Sequence, residues 1–177
     1  YAQDEWRITD TLSATVGLRY DHNDWIGSRL SPRGALIWQA TPKSTFKALY
    51  GRAHRSPNSY ERNYNDGVSQ VANPGLHSEA VDTAELVADY LPYPTLNLRA
   101  TMYAWDMYNL IALGTDPISG LSQYQQQSGK VRARGGELSL DKTWDWGARF
   151  RASFGVQDIQ QKNSQLLNAP YYLGKVN

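Results

Sequence analysis

The chain has 177 residues, no cysteine, 18 Lys and Arg against 17 Asp and Glu, and a formal net charge of +1. A balance so close to neutral carries no footprint for nucleic acid, and the missing thiols exclude a disulfide framework or a thiolate metal site within these residues. No apolar run approaches the roughly 18 residues a membrane helix needs, so a helical membrane protein is excluded while a β-barrel, polar at half of its strand positions, stays open.

Alternation of apolar and polar residues predicts strands, in chain order, over residues 2–8, 12–21, 32–40, 44–51, 81–91, 96–108, 122–140 and 146–157. The second is the clearest: Leu12, Ala14, Val16, Leu18 and Tyr20 fall on one face, and Ser13, Thr15, Gly17 and Arg19 on the other. In the last, Ala148, Phe150, Ala152, Phe154 and Val156 oppose Arg149, Arg151, Ser153 and Gly155. Each clean run is about nine residues, the length a tilted strand needs to cross a bilayer. Asp4 shares a face with Trp6 and is out of pattern. The chain opens already in strand, and a ninth run begins at Tyr171 and stops at Asn177, which predicts an excised piece of a longer protein.

Connections alternate between tight and long. Residues 9–11, 41–43, 92–95 and 141–145 are rich in Pro, Asp and Thr and predict turns, whereas 22–31, 52–80, 109–121 and 158–169 are long polar segments, all at the other end of the strands. Bacterial outer-membrane barrels have this asymmetry, with the long loops outside. Aromatics sit near both ends, Trp6, Trp38, Tyr90, Tyr93, Trp144 and Trp146 by the turns and Tyr20, Tyr50, Tyr103, Trp105, Tyr108 and Tyr124 toward the loops, where two interfacial girdles are expected. The fold class predicted is therefore an all-β, antiparallel, up-and-down transmembrane barrel segment. On the polar face, Arg19, Arg33, Lys47, Arg99, Arg149, Arg151 and Lys175 accompany Glu5, Glu85, Asp89 and Glu137, and these are expected to line a lumen. A soluble aromatic-rich β-sandwich that binds carbohydrate shares the same alternation, and a passive porin shares the barrel.

Several segments together resemble the C-terminal half of the barrel of TonB-dependent outer-membrane receptors. They are Tyr1-Ala2-Gln3-Asp4-Glu5-Trp6, Gly17-Leu18-Arg19-Tyr20-Asp21, Ser31-Pro32-Arg33, and Tyr50-Gly51-Arg52-Ala53 followed by Arg55-Ser56-Pro57-Asn58 and Glu61. Asn73-Pro74-Gly75-Leu76 with Glu79, Asp82-Thr83 with Glu85, and Val131-Arg132-Ala133-Arg134-Gly135 with Glu137 continue the series. The resemblance implies eight strands and the start of a ninth from a 22-stranded barrel in the outer membrane of a Gram-negative bacterium, importing a scarce chelate of the siderophore-iron, haem or cobalamin type. Its implied partners are outer-membrane lipid, the protein's own plug domain, the energy-coupling TonB complex and a metal-chelate ligand; no nucleic acid and no resident cofactor is implied. His54 stands where many members carry an aromatic residue, and His77-Ser78 replaces a common Lys-Pro.

Chemistry on the loops is that of capture. His54, Arg55, Tyr60, Arg62, Tyr64 and His77 form the expected ligand-binding set, cations and aromatic rings suited to a planar or catecholate anion. The histidines His22, His54 and His77 could ligate haem or a metal, but loop histidines are more often solvated, and no metal site is predicted. No nucleophile elbow, zinc motif or phosphate-cradling glycine loop is present, so no catalytic residue is expected.

Overall fold

The computed structural model describes residues 1–162. In chain order it contains β1 (Ala2–Arg7), β2 (Leu12–Asn23), β3 (Gly27–Thr41), β4 (Ser44–Arg55), α1 (Ser59–Asn63), β5 (Glu79–Tyr93), β6 (Leu96–Tyr108), β7 (Ile111–Thr115), β8 (Ser122–Gln126), β9 (Lys130–Thr143) and β10 (Arg149–Lys162). Eight of these strands form one antiparallel sheet in the order β1-β2-β3-β4-β5-β6-β9-β10, and β7 pairs with β8 in a separate hairpin. The predicted ninth run, with Lys175, lies outside the described residues.

Register turns the alternation of each strand into two continuous faces. One row across the sheet joins Trp6, Ala14, Leu36, Ala48, Leu86, Met102, Gly136 and Val156. The adjacent row, Glu5, Thr15, Ala35, Leu49, Glu85, Tyr103, Gly135 and Gln157, belongs to the opposite, more polar face. Because side chains alternate with a period of two, these pairings fix every other row. Asp4 pairs with Val16 and does fall on the apolar face.

No second sheet covers either face among the described residues. Leu18, Met102, Leu138 and Phe154 are 46%, 62%, 62% and 67% exposed, far too open for a sandwich core. The sandwich reading fails on this point, and the barrel-strand reading stands, with no closure of the sheet among the described residues.

Turn chemistry follows the sequence closely at one end. The Thr9 hydroxyl accepts the backbone N–H of Leu12 at 3.0 Å while Ile8 N–H donates to Leu12 O at 2.9 Å, closing the β1–β2 turn. At β9–β10, Trp144 N–H donates to Ala148 O at 2.9 Å, so strand pairing runs on to Thr143, past the expected boundary.

Three expectations at the loop end are corrected. The segment 22–31 is not a long loop: β2 and β3 pair up to Asn23 and Gly27, leaving only Asp24, Trp25 and Ile26 between them. The strand expected over 122–140 is two strands, broken at Gly129, whose φ of +108° is open to few residues other than glycine. Its first half belongs to the β7–β8 hairpin, which occupies much of the loop expected over 109–121. The cause is the same in each case. Beyond the apolar zone the strands continue in polar residues, and alternation stops marking them.

Candidate functional site

Near the turn end, the polar face is organised by two carboxylates, each holding two cations. Asp89 accepts from Arg99 Nε at 2.6 Å and pairs with Lys47 Nζ at 3.0 Å; Asp141 accepts from Arg149 Nε at 2.9 Å and from Arg151. These partners lie on neighbouring strands, so each cluster ties the sheet laterally through charge-assisted hydrogen bonds. Glu85 and Glu137 share this face, on the rows of Leu49 and Thr101, and have no ion-pair partner among the described residues. The described members of the lumen set expected from sequence thus share one face, and Asp141 is an organiser expected in a turn.

Higher up the sheet, the β3–β4 ladder ends at the pair Arg33–Gly51, although β3 goes on pairing with β2 and β4 with β5. Pro32 sits at the parting and has no N–H to offer a ladder. The strands separate around a cleft of about 890 Å³ lined by Arg19, Asp21, Arg29 and Arg33 of the polar face and by Arg52 and His54, which register assigns to the apolar face. His54 Nδ1 lies 3.2 Å from Ser31 Oγ, on the other side of the parting. Arg19 is matched by Asp21 at 2.8 Å and Arg52 by Asp82 at 3.3 Å. Arg29 and Arg33 have no carboxylate partner among the described residues; Arg33 instead lies over the Tyr1 ring at 4.9 Å and donates to Gln3. The cleft is therefore cationic, with two guanidinium groups not paired with a carboxylate among the described residues.

The loop between β4 and β5 packs with the β7–β8 hairpin as one body. Asn58 caps α1 by accepting Glu61 N–H at 2.8 Å, and the Glu61 carboxylate accepts Asn58 N–H at 2.8 Å, a reciprocal capping box. Arg55 joins Glu61 at 3.0 Å and Glu79 at 2.5 Å, anchoring the helix to both flanking strands. Across to the hairpin, Asn73 donates to Tyr124 O at 2.8 Å, Gln123 to Ala72 O at 3.0 Å, His77 N–H to Gln126 at 2.9 Å, and Ile111 N–H to Glu79 at 2.7 Å. Leu76 is buried beneath this contact. Asp66 closes a turn by accepting the N–H groups of Val68, Ser69 and Gln70 and the Ser69 hydroxyl, which together hold its carboxyl well below the ordinary range. Asn58→Ala in the full-length protein should destabilise this loop by about 1 kcal/mol. Amide hydrogen exchange across Ser59–Asn63 should quicken accordingly, with the sheet unaffected.

This packing sorts the expected ligand set. Tyr60 stacks on Tyr64 at 4.5 Å and meets Tyr124 edge-on at 6.1 Å, giving a cluster of three rings. Arg62 donates to Trp25 O at 2.8 Å and so joins the loop to the β2–β3 hairpin. Arg55 is absorbed in ion pairs, His77 is exposed at the hairpin contact, and His54 belongs to the cleft. Tyr124 therefore leaves the girdle assigned to it. Tyr103 and Trp105 leave it too, since they pair with Glu85 and Thr83 on the polar face and stack on each other at 5.0 Å. Arg29 and Arg52 were missed in sequence, and only the strand proline at Pro32 hinted at an opening beside them. Among the described residues, no three His, Asp or Glu side chains are grouped to hold a metal ion.

The geometry is that of a barrel wall carrying a cationic cleft and an aromatic loop cluster at one rim. Residues 1–177 match the family model for the TonB dependent receptor-like β-barrel, and the chain belongs to that family. It is 29% identical to the ferric enterobactin receptor of Pseudomonas aeruginosa over 136 residues, 69% of the chain and 18% of that receptor. To the vitamin B12 transporter BtuB of Vibrio cholerae it is 32% identical over 126 residues, 71% of the chain and 19% of the transporter. Its fold matches the crystal structure of the siderophore receptor PirA from Pseudomonas aeruginosa with a TM-score of 0.78 at 20% identity, over 89% of the chain and 30% of that structure. The chain thus spans about a fifth of the length of these curated relatives. The resemblance read from the sequence motifs is borne out, and the relatives are receptors and transporters rather than enzymes.

Proposed function

We propose that this chain is part of an outer-membrane receptor that captures an anionic metal chelate at its loop rim and imports it with energy from the TonB complex. The observation that carries the reading is the cationic cleft at the β3–β4 parting, where Arg29 and Arg33 are paired with no carboxylate among the described residues, and the Tyr60–Tyr64–Tyr124 cluster on the same rim. In this reading the apolar face meets lipid, the polar face with its Asp89 and Asp141 clusters meets the protein's own plug domain, and the loops face outside. The ligand-binding set is His54, Tyr60, Tyr64 and Arg62 together with Arg29 and Arg33. Support comes from family membership and from relatives named for ferric enterobactin and vitamin B12. A cobalamin carries no comparable anionic charge, so the cleft favours the ferric chelate of the two.

The test is equilibrium binding to the full-length receptor carrying Arg29→Gln and Arg33→Gln. Affinity for an anionic ferric catecholate should fall about tenfold or more, the effect of losing charge-assisted hydrogen bonds. Unchanged affinity for the catecholate, or tight binding of cyanocobalamin in its place, would contradict the reading.

A further inference from the structure

The apolar face does not stay apolar to its end. One row on it runs Arg52, Asp82, Asp106 and Arg132, and the positions flanking Arg132 on β9, two residues away on either side, are Lys130 and Arg134. By register these side chains share a face with Met102, Leu138 and Phe154, and they are on the opposite face from Glu85, Tyr103 and Arg149. Arg134 lies about ten residues along β9 from the Trp144 turn, or ~25 Å above it for a strand tilted by about 40°, which is the height of the apolar band of a barrel. The charges therefore begin where that band ends.

Their balance is uneven. Arg52 and Asp82 form a neutral pair at 3.3 Å. Asp106 takes both Arg132, at 2.7 Å, and Lys130, at 3.3 Å, one carboxylate between two cations. Arg134 is exposed and has no ion pair among the described residues, although Asp158 is its register partner on β10 and bonds Gln160 instead. On β6 and β9 three cations face one carboxylate, with the Tyr108 ring 5.5 Å from Lys130. Directly below, Gly136 leaves a notch between Met102 and Val156, both more than half exposed. A cationic cluster above an open apolar surface, on the face turned away from the lumen, complements an amphiphile with an anionic head and acyl tails.

We propose that Lys130, Arg132 and Arg134 bind a phosphate-bearing lipid headgroup of the leaflet on the loop side, its acyl chains lying over Met102, Leu138 and Phe154. This goes beyond ligand uptake, because the site is on β6 and β9, with β5 between it and the strand that borders the cleft. Asp106 holds Arg132 and Lys130 in position, and Arg134 supplies an unshared guanidinium for the phosphate.

The test uses the full-length receptor in nanodiscs of neutral phosphatidylcholine doped with diphosphoryl lipid A, with retained lipid counted by native mass spectrometry. The wild type should retain diphosphoryl lipid A over its dephosphorylated form. Lys130→Gln with Arg134→Gln should weaken retention about thirtyfold, the effect of removing two surface cations from an anionic lipid. Arg134→Lys should keep most of it, and millimolar inorganic phosphate should not displace it. Heat-modifiable electrophoretic mobility reports that each variant is folded. Equal retention of the dephosphorylated lipid, full retention by the folded double variant, or displacement by inorganic phosphate would each overturn the proposal.

Discussion

Leu18→Arg and Phe154→Arg, each introduced into the full-length barrel, should lower its folding free energy in bilayers by about 2–4 kcal/mol, while Arg19→Leu should change it by less than about 1 kcal/mol. Leu18 and Arg19 are sequence neighbours in the same strand, and both are exposed in this sheet. They differ in the face they occupy. Leu18 shares its row with Ala2 and Pro32, and Arg19 faces the other way beside Asp21. A guanidinium among acyl chains loses water and finds no partner, whereas a leucine in a watered lumen costs only modest exposure. Urea titration of folding into lipid vesicles, followed by intrinsic tryptophan fluorescence, measures both. Equal costs at the two positions would defeat the assigned facing.

Gly135→Val should be similarly damaging for a different reason, at about 3 kcal/mol. A Cβ on Gly135 falls 2.5 Å from Tyr103 Oη and 2.6 Å from the Val156 carbonyl oxygen. The first contact can be relieved by moving a side chain. The second is backbone of the paired strand and cannot yield without breaking the β9–β10 ladder. Tyr103→Ala should therefore rescue only part of the loss, and the same urea titration on the double variant separates the two contacts. Gly136→Ala, whose nearest obstacle is Thr101 O at 3.2 Å, should cost much less.

Gly135 also shows how far the sequence is legible. A glycine pair inside a strand reads as either a bulge or a close approach, and alternation cannot decide between them. Pairing is continuous through Gly135 and Gly136 on both sides, so it is a close approach. Between the turns and the upper aromatics, apolar residues on every second position marked each strand, since one face of the sheet there is apolar and the other polar. Beyond that zone both faces meet polar surroundings and the constraint disappears. Strand runs such as Gln160 to Lys162 or His22 to Asn23 then look like loop, and 122–140 merges into one element. The Asn58 and Glu61 capping box was not picked out in sequence, and the contact of its loop with a hairpin some fifty residues on has no local signature. The cleft depends on two strands parting, a property of pairing rather than of either sequence. Arg29 and Arg52 consequently went unselected, and His54 was assigned to a loop rather than to a strand wall.

The assigned facing has one side of the sheet meeting acyl chains and the other a water-filled interior. The most direct measurement places a single spin-labelled cysteine at each position from Leu12 to Tyr20 in a cysteine-free full-length receptor in bilayers, and records collision with oxygen and with a polar nickel chelate. Oxygen accessibility should peak at Leu12, Ala14, Val16 and Leu18, and nickel accessibility at Ser13, Thr15 and Arg19, with a period of two. A profile without that period, or with the two reagents exchanged, would contradict it.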